Sequence, residues 1–116
     1  MTQATIYHNP RCSKSRETLA LLEQQGCDIT LVEYLKTPPT AEVIGDILAK
    51  LGISARQLMR TKEAEYQALE LADTSLTEQQ LIEAMVNTPK LIERPIVLAN
   101  QRAAIGRPPE NVLAIL

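Results

Sequence analysis

The first third of the chain contains two short apolar runs separated by an amphipathic segment. Residues 5–7 carry β-branched or aromatic side chains, which predicts a short strand, and the turn residues Asn9-Pro10 end it. Apolar residues then recur with helical spacing, which predicts a helix. This helix is expected to end at Gly26, because glycine is typical of the position after a helix. Residues 29–34 predict a second strand. A strand, a helix and a strand in this order predict a right-handed β-α-β unit.

The middle of the chain has the spacing of amphipathic helices. Thr40 is typical of an N-cap, and apolar residues then recur at helical spacing until Gly52. Ser54 is placed to cap another short helix, and Thr77 begins a Thr-x-x-Gln capping box. A mostly helical stretch is therefore predicted over residues 40–90, roughly.

The last part of the chain returns to a strand pattern. Residues 91–98 contain an apolar run interrupted by Pro95, which cannot donate to a sheet ladder and so indicates a strand start or an edge. Residues 103–107 are expected to pair with this run as a hairpin through Asn100-Gln101. A final helix is expected over residues 110–116. Three of its residues are expected to pack inward: Val112, Leu113 and Leu116.

The element order βα-β-(helices)-ββ-α predicts an α/β fold of the thioredoxin-like, three-layer kind. Such a fold would have a small mixed four-stranded sheet and a helical insertion between the second and third strands. The length of 116 residues and the 45% hydrophobic composition suit one domain over residues 1–116 with a single core. A fold of this kind assigns no activity by itself.

Composition narrows the possible partners. The chain has three Tyr and no Phe or Trp, so a platform for stacking bases is not expected. A formal net charge of −2 and an isoelectric point near 5.4 argue against a broadly basic surface for nucleic acid or an anionic membrane. Any positively charged site must therefore be local.

The sequence also predicts a compartment. Its N-terminus lacks the basic and apolar regions of a signal peptide, and no apolar run reaches membrane-spanning length. We therefore expect a cytoplasmic protein, in which reducing conditions disfavour a disulfide between the two cysteines, Cys12 and Cys27. Cys27 is interpreted as a small, partly buried hydrophobic residue. The chain has neither Cys-x-x-Cys nor a Cys/His cluster, so no metal site is expected.

Cys12 is the residue whose setting points most directly to chemistry. It lies between the first predicted strand and the first predicted helix, and three cations and an imidazole surround it in sequence: Arg11, Lys14, Arg16 and His8. The unpaired N–H groups of a following helix would point back at the sulfur. Positive charge and a helix N-terminus favour a thiolate, and they also favour a bound oxyanion.

Three arginines stand at positions where elements end. Arg60 follows a short predicted helix, Arg94 precedes Pro95, and Arg107 precedes Pro108-Pro109. Side chains at such boundaries are often displayed to ligands. Each could equally be one of the twelve Lys and Arg residues of an ordinary surface. Spacing in the sequence does not show whether they converge on Cys12.

Five motifs along the chain carry a resemblance to a known family. They are His8-Asn9-Pro10-x-Cys12-x-x-Ser15-Arg16, Tyr34-Leu35-x-Thr37-Pro38-Pro39, Arg60, Arg94-Pro95-Ile96-Val97 and Arg107-Pro108. In this order and spacing the chain resembles the glutaredoxin-dependent arsenate reductases, the ArsC family, over essentially its whole length. It is similar to a short branch of that family, without the C-terminal extension of longer members.

The resemblance implies an activity and roles for individual residues. Cys12 would be the catalytic nucleophile, His8 and Ser15 would support it, and the oxyanion would be bound by three arginines: Arg60, Arg94 and Arg107. Pro95 would be the cis-proline of thioredoxin-like domains. Arsenate would be reduced to arsenite through a thiol adduct on Cys12, with glutathione as the reducing co-substrate and glutaredoxin as the partner. No bound metal or cofactor is implied, and we expect a monomer.

Ser15 bears on how Cys12 would be regenerated. Dithiol oxidoreductases place a resolving cysteine at this position, so an external thiol must resolve Cys12 here. Two alternatives remain open from the sequence. One is a redox regulator that binds RNA polymerase and resembles the Spx proteins, which typically carry Cys-x-x-Cys in this loop. The other is a monothiol module that forms a mixed disulfide with glutathione and reduces no oxyanion. The basic residues Arg11 and Lys14 bear on the choice of substrate.

Overall fold

Four strands form one mixed sheet in the computed structural model, which describes residues 2–116. The strands are β1 (Gln3–His8), β2 (Asp28–Glu33), β3 (Ile96–Ala99) and β4 (Arg102–Ile105). Their order in the sheet is β2-β1-β3-β4, with β2 parallel to β1 and with β3 antiparallel to both β1 and β4. This confirms the predicted α/β class with a small mixed four-stranded sheet.

Residues 2–116 also contain five α-helices and two 3₁₀ segments. The helices are α1 (Ser13–Gln24), α2 (Ala41–Leu51), α3 (Ala55–Leu58), α4 (Ala64–Ala68) and α5 (Glu78–Asn87), and the 3₁₀ segments are Pro89–Leu91 and Pro109–Ile115. Across residues 2–116, no helix combines the length and the apolar character that a membrane crossing requires.

The chain divides into two compact units. One comprises the residues up to Thr37 together with Arg94–Leu116, and it contains the whole sheet, α1 and the 3₁₀ segment Pro109–Ile115. The other is Pro38–Glu93, which contains α2 to α5. The second unit thus covers the predicted helical insertion. That residues 1–116 form a single domain stays a prediction.

The predicted helix boundaries are present. Thr40 Oγ1 accepts a hydrogen bond of 3.2 Å from the Val43 N–H, and Gly52 ends α2 with φ of 69°. Thr77 and Gln80 form a reciprocal capping box at the start of α5. Each of these contacts satisfies a backbone group that a helix end leaves without an internal partner.

The core of the first unit lies on one face of the sheet. Side chains alternate between the two faces of a strand, and Ala4, Ile6 and His8 of β1 are the buried set. Three residues of α1 are also buried, Ser15, Thr18 and Leu22. The apolar core contains Ala4, Ile6, Leu22, Val97, Ala99, Ala104, Val112 and Ile115. Both β1 and α1 therefore turn their polar buried residues toward the same interior.

The C-terminal segment corrects one prediction. A helix over residues 110–116 with Leu113 inside was expected, but Pro109–Ile115 is a 3₁₀ segment and Leu113 is 42% exposed. A 3₁₀ helix has three residues per turn, so its inner side repeats at every third position. Pro109, Val112 and Ile115 have that spacing and are buried. Leu116 is partly buried against the core.

The strands in the C-terminal part agree with the prediction. β3 begins directly after Pro95, as its missing N–H suggested, although it lies inside the sheet between β1 and β4. Asn100 and Gln101 connect β3 to β4 with φ of 53° and 62°. Positive φ at both central residues is the geometry of a tight hairpin whose twist matches the strands.

Candidate active site

Cys12 is the N-cap residue of α1, at the end of the loop that leaves β1. Its N–H donates to the Asn9 carbonyl at 3.0 Å, and its carbonyl accepts the first helical hydrogen bond, from the Arg16 N–H, at 3.0 Å. The Asn9 side chain fixes the same loop because its Oδ1 accepts from the Arg11 N–H at 3.0 Å. The thiol is held in a defined place, and Cys12 is 7% exposed.

The start of α1 is positively charged. Its first turn contains no acidic residue, whereas the first turns of α2 and α5 contain Glu42 and Glu78. Acidic residues normally balance the partial positive charge of a helix N-terminus. Here Arg16 adds to that charge, while Lys14 Nζ lies 3.4 Å from Glu17 Oε2 in the next turn. An anion at this position, either a thiolate or a bound oxyanion, would supply the missing negative charge.

Arg107 lies against the thiol. Its Nη2 is 3.5 Å from Cys12 Sγ, and its Nε donates to the Arg94 carbonyl at 2.7 Å. Arg107 and Cys12 are separated by 95 positions in the chain, and the pairing of β1 with β3 and of β3 with β4 brings them together. The guanidinium is thus oriented by a backbone carbonyl with one nitrogen directed at the sulfur.

Arg94 contributes to this arrangement through its backbone. Its carbonyl accepts the hydrogen bond from Arg107 Nε, and Arg94 is half-buried. The peptide bond from Arg94 to Pro95 is cis, as the family resemblance implied. The peptide bond from Arg107 to Pro108 is also cis, which the sequence did not lead us to expect. The role of the Arg94 side chain in binding an oxyanion stays a prediction.

Arg60 belongs to the unit Pro38–Glu93 and pairs with carboxylates there. Its Nη1 is 2.9 Å from Glu63 Oε1, and its Nε is 3.8 Å from Glu93 Oε1. Its N–H donates to the Leu91 carbonyl at 2.7 Å. The guanidinium therefore has a defined orientation within its unit. Its predicted role in oxyanion binding stays a prediction.

His8 and Ser15 form a buried polar pair beside the Cys12 loop. Ser15 Oγ lies 2.6 Å from His8 Nδ1 and accepts from the Asn9 N–H at 3.0 Å. The hydroxyl has one proton and two lone pairs, so it can either donate to Nδ1 or accept from it, according to the tautomer of His8. Ser15 is fully buried and His8 is 5% exposed. The bonds of Ser15 to His8 and to Asn9 link β1, the loop and α1.

Burial lowers the pKa of His8 below its ordinary value of 6.5. The nearby carboxylate of Glu33 opposes this effect, and the cation of Arg16 adds to it. A neutral His8 is consistent with the hydrogen bond to Ser15. The support of Cys12 by His8 and Ser15, which the family resemblance implies, stays a prediction.

The lowered pKa of His8 predicts a pH dependence of stability. His8 is the single histidine of the chain, and below about pH 6.5 the unfolded chain binds a proton there that the folded chain resists. The contribution of a neutral His8 to the free energy of unfolding is therefore fully present above about pH 6.5. It is lost as the pH falls toward and through the lower pKa of the folded state. Urea unfolding at about pH 7.5 and about pH 5.5 should show a larger loss for the wild type than for His8→Gln. Equal losses in the two proteins would contradict the lowered pKa.

The second cysteine is placed as its sequence suggested. Cys27 is a free thiol, as is Cys12, and it is partly buried against the core of the first unit. It follows Gly26, which has φ of 72° and ends α1. The Cys27 N–H donates to the Leu22 carbonyl, and the Gly26 N–H donates to the Glu23 carbonyl. These bonds satisfy carbonyl groups in the last turn of α1.

The sequence did not point to Thr18 or Asn111 as parts of this region. Asn9 was interpreted as a turn residue and as part of the motif around Cys12, but its side-chain bond to the loop was not predicted, although such a bond is the usual reason for asparagine in a turn. Thr18 lies 3.5 Å from the Gly106 carbonyl across 88 positions, and Asn111 Nδ2 donates to the Arg107 carbonyl at 3.1 Å. No local pattern in the sequence indicates these two contacts.

Comparison with known proteins gives one family. The ArsC family model matches residues 7–115. The chain is 50% identical to the arsenate reductase of Neisseria meningitidis serogroup B, over 100% of both chains. It is 60% identical to YfgD of Escherichia coli K12, a protein named as uncharacterized, over 98% of this chain and 97% of YfgD.

A solved structure has the same fold. The arsenate reductase from Vibrio cholerae matches with a TM-score of 0.96 and 51% identity, covering 99% of this chain and 98% of that one. Because the match covers 99% of this chain, residues of both compact units are included in it.

Proposed function

The chain belongs to the ArsC family, and we propose that it is an arsenate reductase in which Cys12 is the nucleophile. The observation that supports this most directly is the thiol of Cys12 at the positive start of α1, 3.5 Å from Arg107 Nη2. A nucleophile and a cation at this separation suit a substrate that is both an electrophile and an anion. Arsenate is such a substrate, and it is the substrate in the name of the Neisseria relative.

The residue types fit an oxyanion with several acidic oxygens. A guanidinium donates two parallel hydrogen bonds to such a group, which an ammonium cannot do with the same geometric control. We assign Arg107 to the arsenate at Cys12, and Arg94 and Arg60 to the same oxyanion as the family resemblance implies. The N–H groups in the first turn of α1 would add donors beside the sulfur.

The proposed reaction begins with a bond between sulfur and arsenic. The Cys12 thiolate attacks As(V), and one arsenic oxygen leaves as water after protonation, giving a thiol adduct on Cys12. The thiolate of glutathione then displaces a second oxygen, which also leaves as water after protonation. As the S–S bond of the mixed disulfide forms, both As–S bonds break and one of their two electron pairs stays on arsenic, so that As(V) becomes As(III). The As(III) product takes up one water and is released as arsenite.

The mixed disulfide between Cys12 and glutathione must be reduced by another thiol. Ser15 stands where a resolving cysteine would be needed, and its hydroxyl is bonded to His8. We therefore assign this step to glutaredoxin, whose thiolate attacks the glutathione sulfur and restores Cys12. Electrons come from thiols throughout, and we assign no metal or bound cofactor.

Arsenite production tests the function. The purified protein with arsenate, glutathione and glutaredoxin should form arsenite, and omission of either glutathione or glutaredoxin should stop turnover. A Cys12 that accepts glutathione as a mixed disulfide while no arsenite forms would contradict the proposal. That outcome would identify a monothiol module without oxyanion reduction.

A further inference from the structure

Gly106, next to Arg107, has no room for a side chain. A Cβ atom at this position would lie 2.5 Å from Thr18 Oγ1, 2.9 Å from Pro95 Cγ and 3.1 Å from Thr18 Cγ2. Separations below about 3 Å force neighbouring atoms to move, as for any overpacked interior position. Helix α1 and Pro95 therefore approach the backbone at Gly106 more closely than any other residue type would permit.

Thr18 connects this close approach to the nucleophile. It lies on the inner side of α1, the helix whose N-cap is Cys12, and it is fully buried. Its Oγ1 donates to the Lys14 carbonyl at 2.8 Å and lies 3.5 Å from the Gly106 carbonyl. The Gly106 N–H in turn donates to the Pro95 carbonyl at 2.9 Å. The contact at Gly106 thus fixes the distance between α1 and the segment that carries Arg107.

Asn111 holds the same segment from its other side. Its Nδ2 donates to the Arg107 carbonyl at 3.1 Å and to the Ile105 carbonyl at 3.3 Å, so one amide bridges the two residues that flank Gly106. The Asn111 N–H donates to the Pro108 carbonyl at 3.1 Å, which keeps the side chain over the turn. Backbone movement at Arg107 would break these contacts.

We propose that Thr18, Gly106 and Asn111 are positioning residues that set the place of the Arg107 guanidinium on Cys12. The inference rests on the proposed function only in that Arg107 would hold the oxyanion, since the contact between Arg107 and the thiol needs no substrate. To admit a methyl group at Gly106, Thr18 Oγ1 would have to retreat from 2.5 Å to ordinary contact. A misplacement of about 1 Å between reacting groups lowers rates by about 10²-fold.

The position of Arg107 can be measured without arsenate. Iodoacetate is an anion and iodoacetamide is neutral, so the ratio of their alkylation rates at Cys12 reports the positive charge beside the sulfur. Arg107→Gln sets the value without that charge, and its ratio should be about fivefold lower than the wild type, the factor for one unit charge at about 4 Å in water. Gly106→Ala should lower the ratio toward that of Arg107→Gln and should raise the KM for arsenate.

A second substitution distinguishes positioning from loss of folding. Thr18→Ala removes two of the three atoms that a Cβ at Gly106 would meet. The double variant Gly106→Ala/Thr18→Ala should therefore recover part of the wild-type ratio. If Gly106→Ala does not fold, Asn111→Ala decides, because Asn111 is exposed and its replacement leaves the core intact. Gln24→Ala, at the exposed far end of α1, is the control and should keep the wild-type ratio.

The outcomes separate this inference from the proposed function. Folded Gly106→Ala and Asn111→Ala proteins that melt at lower temperature but keep the wild-type ratio would overturn the inference. Lowered ratios, with recovery in the double variant, would support it even if the wild type reduced no arsenate. In that case the proposed function alone would fail.

Discussion

Replacement of Cys12 by serine should abolish arsenate reduction, with a loss of at least about 10³-fold in rate, because no bond between sulfur and arsenic can form. Serine has nearly the shape of cysteine, and Cys12 is 7% exposed at the N-cap of α1, where serine is a favourable residue. The variant should therefore fold as the wild type does. The measurement is the initial rate of arsenite formation with glutathione and glutaredoxin in excess.

Cys27→Ser is the matched control for this loss. Cys27 is the other cysteine of the chain, free and partly buried against the core. Its replacement should leave the rate within about twofold of the wild type, because a small buried hydrophobic residue has no part in the reaction. A Cys12→Ser protein that still turns over, or equal losses in the two variants, would disprove the assignment of the nucleophile.

Arg107→Gln should lower kcat/KM for arsenate by about 10²-fold, the range seen when one donor to a reacting oxyanion is removed. Glutamine is a shorter side chain that stays polar, and it removes the charge 3.5 Å from Cys12 Sγ and the donor to the Arg94 carbonyl. The kcat/KM of Arg107→Lys should fall between those of the wild type and Arg107→Gln, since lysine keeps the charge without the planar guanidinium. Steady-state rates over a range of arsenate concentrations give both kcat and KM.

Arg102→Gln is the control for the loss of one positive charge. Arg102 begins β4 and pairs with Ala99, at the end of the sheet away from the β1 terminus that leads to Cys12. Its Nη1 donates only to an exposed carbonyl, that of Ala114, at 3.0 Å among the contacts described. Its kcat/KM should stay within about twofold of the wild type. A loss as large as that of Arg107→Gln would mean that net charge, and not the contact with Cys12, determines the rate.

The sequence predicted most elements because their signals are local. Thr40, Gly52 and Thr77 act within one helical turn, and the hairpin at Asn100-Gln101 depends on two adjacent backbone conformations. The wrong prediction for Leu113 also reflects this dependence on local signals. Seven residues are too few to distinguish a period of 3.6 from one of 3.0, so tertiary packing of Pro109–Ile115 decides which side chains turn inward.

The candidate site was only partly accessible from the sequence. Cys12 was found from its neighbours, because the cations and the helix start lie within a few residues of it. The contact with Arg107 crosses 95 positions and follows from sheet pairing, which spacing does not encode. The sequence marked Arg107 as a boundary residue, and only the family resemblance placed it beside Cys12. The close approach of Thr18 to Gly106 has even less signal, since a glycine in a sequence does not show what fills its missing side chain.

Cys12 and an arsenate anion are proposed to occupy one site, and protection of the thiol from alkylation tests this most directly. Cys12 should be alkylated rapidly by iodoacetamide at neutral pH, with the modified residue identified by mass spectrometry. Millimolar arsenate should slow this reaction several-fold in the wild type and much less in Arg107→Gln, whereas chloride at the same ionic strength should have little effect. An alkylation rate of Cys12 that is unchanged by arsenate would contradict the account.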